Sequence, residues 1–274
     1  MPELTDRAEG SARRAADSTA LETLARVGLI AYGVVHLLIG WLALQVAWGA
    51  SSENADQSGA FAQLAESPAG PALLWLVAVG LTALAVWQAS EAVWGYQSEK
   101  DGKRLRKRLG AGGKSVFYLI LAFGAARVAM GGGQSSSGSQ QDTTRGVLAW
   151  SGGQVLVVLA GLAVIAVGVA NVRKGVLRKF REEIDTSALP AGTSRGVERI
   201  GQVGFIAKGV AMSLVGVLLV YAAVTFDPEK AQGLDGAMRT IAAQPFGRVL
   251  LTVVALGFIA FGVFAFLQAR YRRM

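Results

Sequence analysis

Five side chains carry most of the chemistry this 274-residue chain could offer: Tyr32, His36, Glu91, Lys114 and Lys208 all fall within or at the ends of long apolar runs. A polar or charged group in such a run is costly unless it reaches a headgroup or meets a partner, so each calls for an account. Lys114 and Lys208 hold matching places in two copies of a repeated segment, and Tyr32 holds that place in another. Set at one depth, the three would form an anion or lipid-headgroup site on the axis of a bundle. Long basic side chains near helix ends also snorkel to the headgroups, and that is the preferred reading of the two lysines. His36, the only histidine, could relay protons or ligate a metal, but metal sites need several ligands. Its counterparts are Tyr118 and Met212, which suits a packed, hydrogen-bonded histidine. Glu91, beside Gln88, reads as half of a structural ion pair with Lys114 or Lys208.

Much chemistry is excluded. With no cysteine, disulfides, thiol catalysis, thiolate metal sites and palmitoylation fall away. There is no P-loop, no HExxH, no pair of intramembrane carboxylates and no Ser/His/Asp set. The glycine clusters lie in loops with no preceding strand, which fails the context of a nucleotide site. The expectation is a protein that is not an enzyme, with no catalytic residue, metal or cofactor.

The elements that position these residues are membrane spans. About twenty apolar residues cross a bilayer as a helix. Six stretches qualify: 26–48, 70–95, 111–130, 152–172, 200–225 and 247–269. Apolar content is 52%, and backbone in lipid must satisfy itself within a helix or a closed barrel. The stretches are too long and evenly apolar for barrel strands.

The spans repeat. Glu22, Val27, Gly28, Ile30, Ala31, Gly33, Val34 and Gly40 recur in order as Glu198, Val203, Gly204, Ile206, Ala207, Gly209, Val210 and Gly216. Gly59, Ala60, Pro68, Gly70, Leu73, Leu74 and Gly80 recur as Gly236, Ala237, Pro245, Gly247, Leu250, Leu251 and Gly257. A weaker middle copy runs from 108 to 174. The predicted fold is an all-α integral membrane protein whose six transmembrane helices form three tandem two-helix repeats, pseudo-threefold about the membrane normal. The divisions are a disordered cytoplasmic tail (1–21), repeat one (22–98), repeat two (99–185) and repeat three (186–274). Gly28, Gly33, Gly40, Gly80, Gly204, Gly209, Gly216 and Gly257 are predicted helix-packing positions, since small residues let membrane helices approach closely.

Gly59–Glu66 and Gly236–Ala243 read as short amphipathic helices lying on the outer interface, with Phe61, Leu64 and Ala65, and Met238, Ile241 and Ala242, on their apolar sides. In repeat two a Gly/Ser/Gln stretch from Gly131 to Gln141 replaces this unit and is predicted to be flexible; the missing unit is expected to mark a partner surface. The basic, amphipathic Val176–Glu183 is expected to lie on the inner headgroups. The tryptophans at 41, 48, 75, 87, 94 and 150 suit an aromatic belt.

Lys and Arg crowd the tail and the loops after spans two and four, while the opposite side has only Arg145, Lys230, Arg239 and Arg248. Basic loops stay cytoplasmic, which places both termini inside a bacterial plasma membrane. The net charge of +8 is thus a topology signal and an attraction for anionic lipid headgroups, not a nucleic-acid footprint.

The repeated Val-Gly-(Leu/Phe)-Ile-Ala-x-Gly-Val, the Leu-Leu pairs opening spans two and six after Pro68-x-Gly70 and Pro245-x-Gly247, and the closing Gln268–Arg273 resemble the three-repeat bacterial membrane proteins of domain-of-unknown-function family twelve-oh-six. The resemblance runs from about Glu22 to the end and implies fold and inner-membrane location, with no activity and no catalytic residue. The middle repeat departs from the pattern, with Ser115 at the Gly33/Gly209 position. The favoured function is a non-enzymatic accessory or structural subunit that binds membrane lipid or a membrane-protein partner. The alternative is a small-solute or ion transporter or channel with a site on the axis. A wet axis would favour the second and a dry one the first.

Overall fold

A computed structural model describes residues 19–49, 54–97, 99–132, 136–185, 187, 189–190 and 192–271. Its regular elements are all helices: α1 (Thr19–Ala47), α2 (Gln57–Ala65), α3 (Gly70–Trp94), α4 (Asp101–Ala129), α5 (Ser136–Leu148), α6 (Gly153–Val176), α7 (Ser194–Val224), α8 (Leu234–Ala242) and α9 (Gly247–Tyr271), with 3-10 turns at Lys179–Glu183 and Pro228–Lys230. Six of them, α1, α3, α4, α6, α7 and α9, are long and apolar enough to cross a membrane. The chain is a multi-pass membrane protein, and its basic loops gather at one end of the bundle.

The long helices pack in sequence around a centre: α4 on α3, α3 on α1, α1 on α9, α9 on α7, α7 on α6. Lipid tails are as apolar as the side chains, so close backbone approach matters more here than apolar burial. The glycines mark where it happens. A Cβ on Gly33 would lie 2.9 Å from the Gly262 carbonyl oxygen, and one on Gly209 would lie 2.6 Å from that of Gly168. At the matching place in repeat two, the Ser115 hydroxyl donates to the Ala85 carbonyl at 2.8 Å. All three contacts between repeats therefore use equivalent positions, and Ser115 substitutes a hydrogen bond for a bare glycine crossing.

Contacts within repeats are not uniform. In repeat one Gly28 and Gly80 cross backbone to backbone, with Gly80 so placed that its Cβ would lie 3.0 Å from Gly28 Cα. In repeat three Gly204 packs on Phe261, a Cβ there lying 2.7 Å from its backbone nitrogen, and Gly257 packs on Ala207. In repeat two α4 and α6 do not pack along one another. Gly110, the counterpart of Gly28 and Gly204, faces open space, with nothing within 4 Å of a Cβ built on it. Ala163, the counterpart of Gly80, is exposed. The ring of helices is thus open along one seam.

Four expectations are corrected. The tail was placed at 1–21, but α1 begins at Thr19; residues 1–18 lie outside those described. The third span was expected to begin at 111, but α4 begins at Asp101, because its first turns carry charge that pairs along the helix and with Glu99. The stretch predicted flexible contains α5: Thr144 is buried, and the Gln141 amide donates to the Glu229 carbonyl at 3.0 Å, so tertiary contacts order a sequence of low propensity. Finally, 176–183 is not a continuous amphipathic helix: it folds back at Arg178 and turns its apolar Phe180 into the bundle, at 1% exposure.

At the sparsely charged end, α2 and α8 cap the bundle through buried Phe61 and Met238. Two buried carboxylates sit at their junction, and Asp235 ties one helix to the other. Asp56 caps α2, accepting from the backbone of Ser58 and Gly59 at 2.8 and 3.1 Å. Asp235 accepts from the Ala55 backbone at 2.8 Å and from Arg239 at 2.8 Å. Burial, followed in smaller measure by the nearby Asp235 charge, pushes the Asp56 carboxyl above its usual range, against the opposing pull of its hydrogen bonds.

Candidate functional site

The centre of the bundle is filled by rings. Tyr32 and His36 on α1 meet edge to face at 4.2 Å between centroids, and His36 stacks on Phe258 at 6.0 Å and tilts against Phe261 at 4.7 Å. Tyr118 on α4 closes on Tyr32 at 5.3 Å. His36 is 2% exposed, and its Nδ1 lies 2.9 Å from the Tyr32 carbonyl oxygen, one turn back on its own helix. A histidine so enclosed has apolar faces and a backbone partner, which suits packing. Among the described residues no three His, Asp or Glu side chains gather as a metal would require.

Lys208 lies at the edge of this stack. Its ammonium donates to the Tyr32 hydroxyl and rests over two rings, 4.1 Å from the Phe261 centroid and 4.8 Å from that of Tyr32. Snorkelling does not describe it: the side chain turns toward the centre, where an aromatic face is the available counter-charge. Lys114, on α4, is exposed. The charges of Lys174 on α6 and of Lys114 both bear on Lys208. Three cations from three helices thus converge where α4 and α6 part. Among the described residues no carboxylate pairs with Lys208.

Glu91 does not join this group through Lys208. Its carboxylate folds over the end of α3, where a Cβ on Gly95 would come within 2.7 Å of it. The sequence reading missed Lys174. The repeats that align Tyr32, Lys114 and Lys208 also align Glu91, Lys174 and Gln268 on the even spans, so the same comparison would have found it. Lys174 pairs with Glu183 at 2.6 Å and lies 4.3 Å over the Phe205 ring. Glu183 also accepts from Gln268 at 2.9 Å. Phe180, on the same turn, packs between Phe205 and Phe264 at 5.5 and 5.2 Å and closes the basic end of the stack.

Facing lipid, α3 and α4 enclose a separate apolar groove of about 560 Å³ between Trp75, Val79, Val86, Leu119 and Phe123. Its lining carries no charged group.

The helices, their crossings and the glycine-matched repeats define a class: a polytopic helical membrane protein made of three two-helix units. The profile of the family described as Domain of Unknown Function (DUF1206) matches three times, at 27–95, 109–178 and 203–272. The chain belongs to this family. It is 32% identical over 255 residues to Uncharacterized protein YxxB of Bacillus subtilis (strain 168), covering 93% of this chain and 92% of that protein. No solved structure matches.

Proposed function

We propose that this is a non-enzymatic lipid-binding membrane protein that admits one anionic phospholipid through the seam between α4 and α6. The lipid phosphate would sit against Lys208, with Lys114 and Lys174 on its flanks, and an acyl chain would lie in the seam. The observation that carries this is the placing of Lys208 over Phe261 and of Lys174 over Phe205, rings 5.2 Å apart, beside the opening in the ring of helices. A cation held in a span without a carboxylate is expensive, and an entering anion relieves that cost. Phosphate also suits ammonium groups as point-charge partners.

This reading places the basic end in the cytoplasm and the chain in a bacterial plasma membrane, where anionic lipid faces the basic loops. It leaves room for an accessory role beside a membrane-protein partner. Transport through the centre is the alternative, and the packed stack of Tyr32, His36, Phe258 and Phe261 beyond Lys208 favours binding over passage.

The test is native mass spectrometry of protein released from nanodiscs of phosphatidylcholine with phosphatidylglycerol. Wild type is expected to keep phosphatidylglycerol, and Lys208→Met is expected to lose most of it. Equal retention by the two would overturn the reading.

A further inference from the structure

We infer that Glu183 is a resident anion that occupies Lys174 until the lipid phosphate displaces it, and that this displacement releases the Phe180 plug. The inference rests on the lipid-binding reading and adds its regulation. Glu183 holds two side chains at equivalent positions on the spans that flank α7, Lys174 on α6 at 2.6 Å and Gln268 on α9 at 2.9 Å. A carboxylate and a phosphate ask the same thing of an ammonium group, a charge-assisted hydrogen bond. Lys174 and Lys208 lie over adjoining rings, Phe205 and Phe261, whose centroids are 5.2 Å apart. A phosphate seated at Lys208 therefore competes with Glu183 for Lys174.

The turn that carries Glu183 begins at an unfavourable residue. It leaves α6 through Arg178, whose φ of 53° is a left-handed conformation unfavourable for a side chain other than glycine. Phe180 is the only member of the turn that is buried, resting on the bare backbone of Gly201 and the rings of Phe205 and Phe264. From the far side, Arg178 and Arg181 reach Glu198 on α7 at 3.4 and 3.2 Å. Those exposed pairs are weak anchors; the Glu183 bridge acts beside the packing of Phe180, the burial of Ile184 and the hydrogen bond that the Asp185 backbone donates to the Tyr271 carbonyl at 2.7 Å. Removing the bridge frees Lys174 for the ligand and loosens the Phe180 side of the turn, while Ile184 and Asp185 keep its far end in place.

The chain has no cysteine, so a single Phe180→Cys substitution reports the plug by its reaction with a water-soluble maleimide. In phosphatidylcholine nanodiscs this site is expected to be protected, and adding phosphatidylglycerol is expected to speed labelling about tenfold. With Glu183→Gln added, labelling is expected to be fast in both lipids. Because Phe180→Cys leaves a cavity, a second readout uses Glu183→Gln alone: it is expected to retain phosphatidylglycerol about tenfold more strongly, on the scale of one charged hydrogen bond. Gln268→Leu, which removes the other anchor and leaves Lys174 intact, is expected to give a smaller gain in the same direction. No gain with either variant, or a plug that stays protected when Glu183 is neutralised, overturns the latch. Failure of the underlying reading looks different: wild type and Lys208→Met then retain equal lipid, and the competition falls with its ligand.

Discussion

Repeats one and three close on themselves, and repeat two does not. The first crosses α1 and α3 at Gly28 and Gly80, and the third crosses α7 and α9 at Gly204 and Phe261. The second keeps a glycine at 110 with nothing opposite it. Glycine in a helix costs about 1 kcal/mol relative to alanine, a cost that close packing offsets in the outer repeats and that nothing in the structure offsets at Gly110. The difference teaches that one two-helix unit can be used twice as a wall and once as an opening.

The largest effect should come from filling a closed crossing. Gly28→Leu drives a side chain into the Gly80 backbone and Leu84 and is expected to cost about 3 kcal/mol, at the upper end of overpacking losses. Gly110→Leu should stay within about 1 kcal/mol of wild type. Thermal unfolding in mild detergent separates them, and equal losses would break the comparison.

Next comes the clasp between the outer helices. Asp56→Ala removes the α2 cap and should cost about 1–2 kcal/mol. Asp56→Asn keeps an acceptor, removes the buried charge and should be near neutral at pH 7. The sign of the pH effect follows from the raised carboxyl: stabilisation is full below the unfolded value of 3.8 and lost as pH rises through the folded one. Mild acid should therefore raise the melting temperature of wild type and leave that of Asp56→Asn flat in this window.

Ser115→Ala, which deletes the hydroxyl bond to Ala85 at the crossing between repeats one and two, should cost about 1 kcal/mol. The smallest effect belongs to Glu99. Hydrogen bonds from Lys103 first and Lys107 second hold its carboxyl down to about 2. The contribution is present above the unfolded 4.5 and lost only as pH falls toward 2. Glu99→Gln should fray the first turns of α4, seen as faster amide exchange there, with little change in global stability.

The spans were legible because apolar length is a physical requirement of a bilayer, and the crossings between repeats because glycine recurs where backbones meet. α5 was not legible: Ser136–Leu148 has the composition of a linker, and tertiary contacts, Thr144 and Gln141 among them, order it. The direction of 176–183 was equally hidden, since eight residues of amphipathic pattern do not say whether Phe180 faces lipid or core. Of the site, Tyr32, His36 and Lys208 were identified and do meet, while Glu91 stands apart from Lys208. Lys174 and Glu183 were overlooked because a cation beside a basic loop reads as topology.

Disulfide trapping across the seam tests the central claim most directly. Gly110→Cys with Ala163→Cys places thiols at the positions that cross in repeat one, in a chain free of native cysteine. A bond needs Cα atoms within about 7 Å. The open seam predicts that both thiols stay free under mild oxidation in native membranes. Rapid and complete disulfide formation would show repeat two closed like its neighbours and contradict the account.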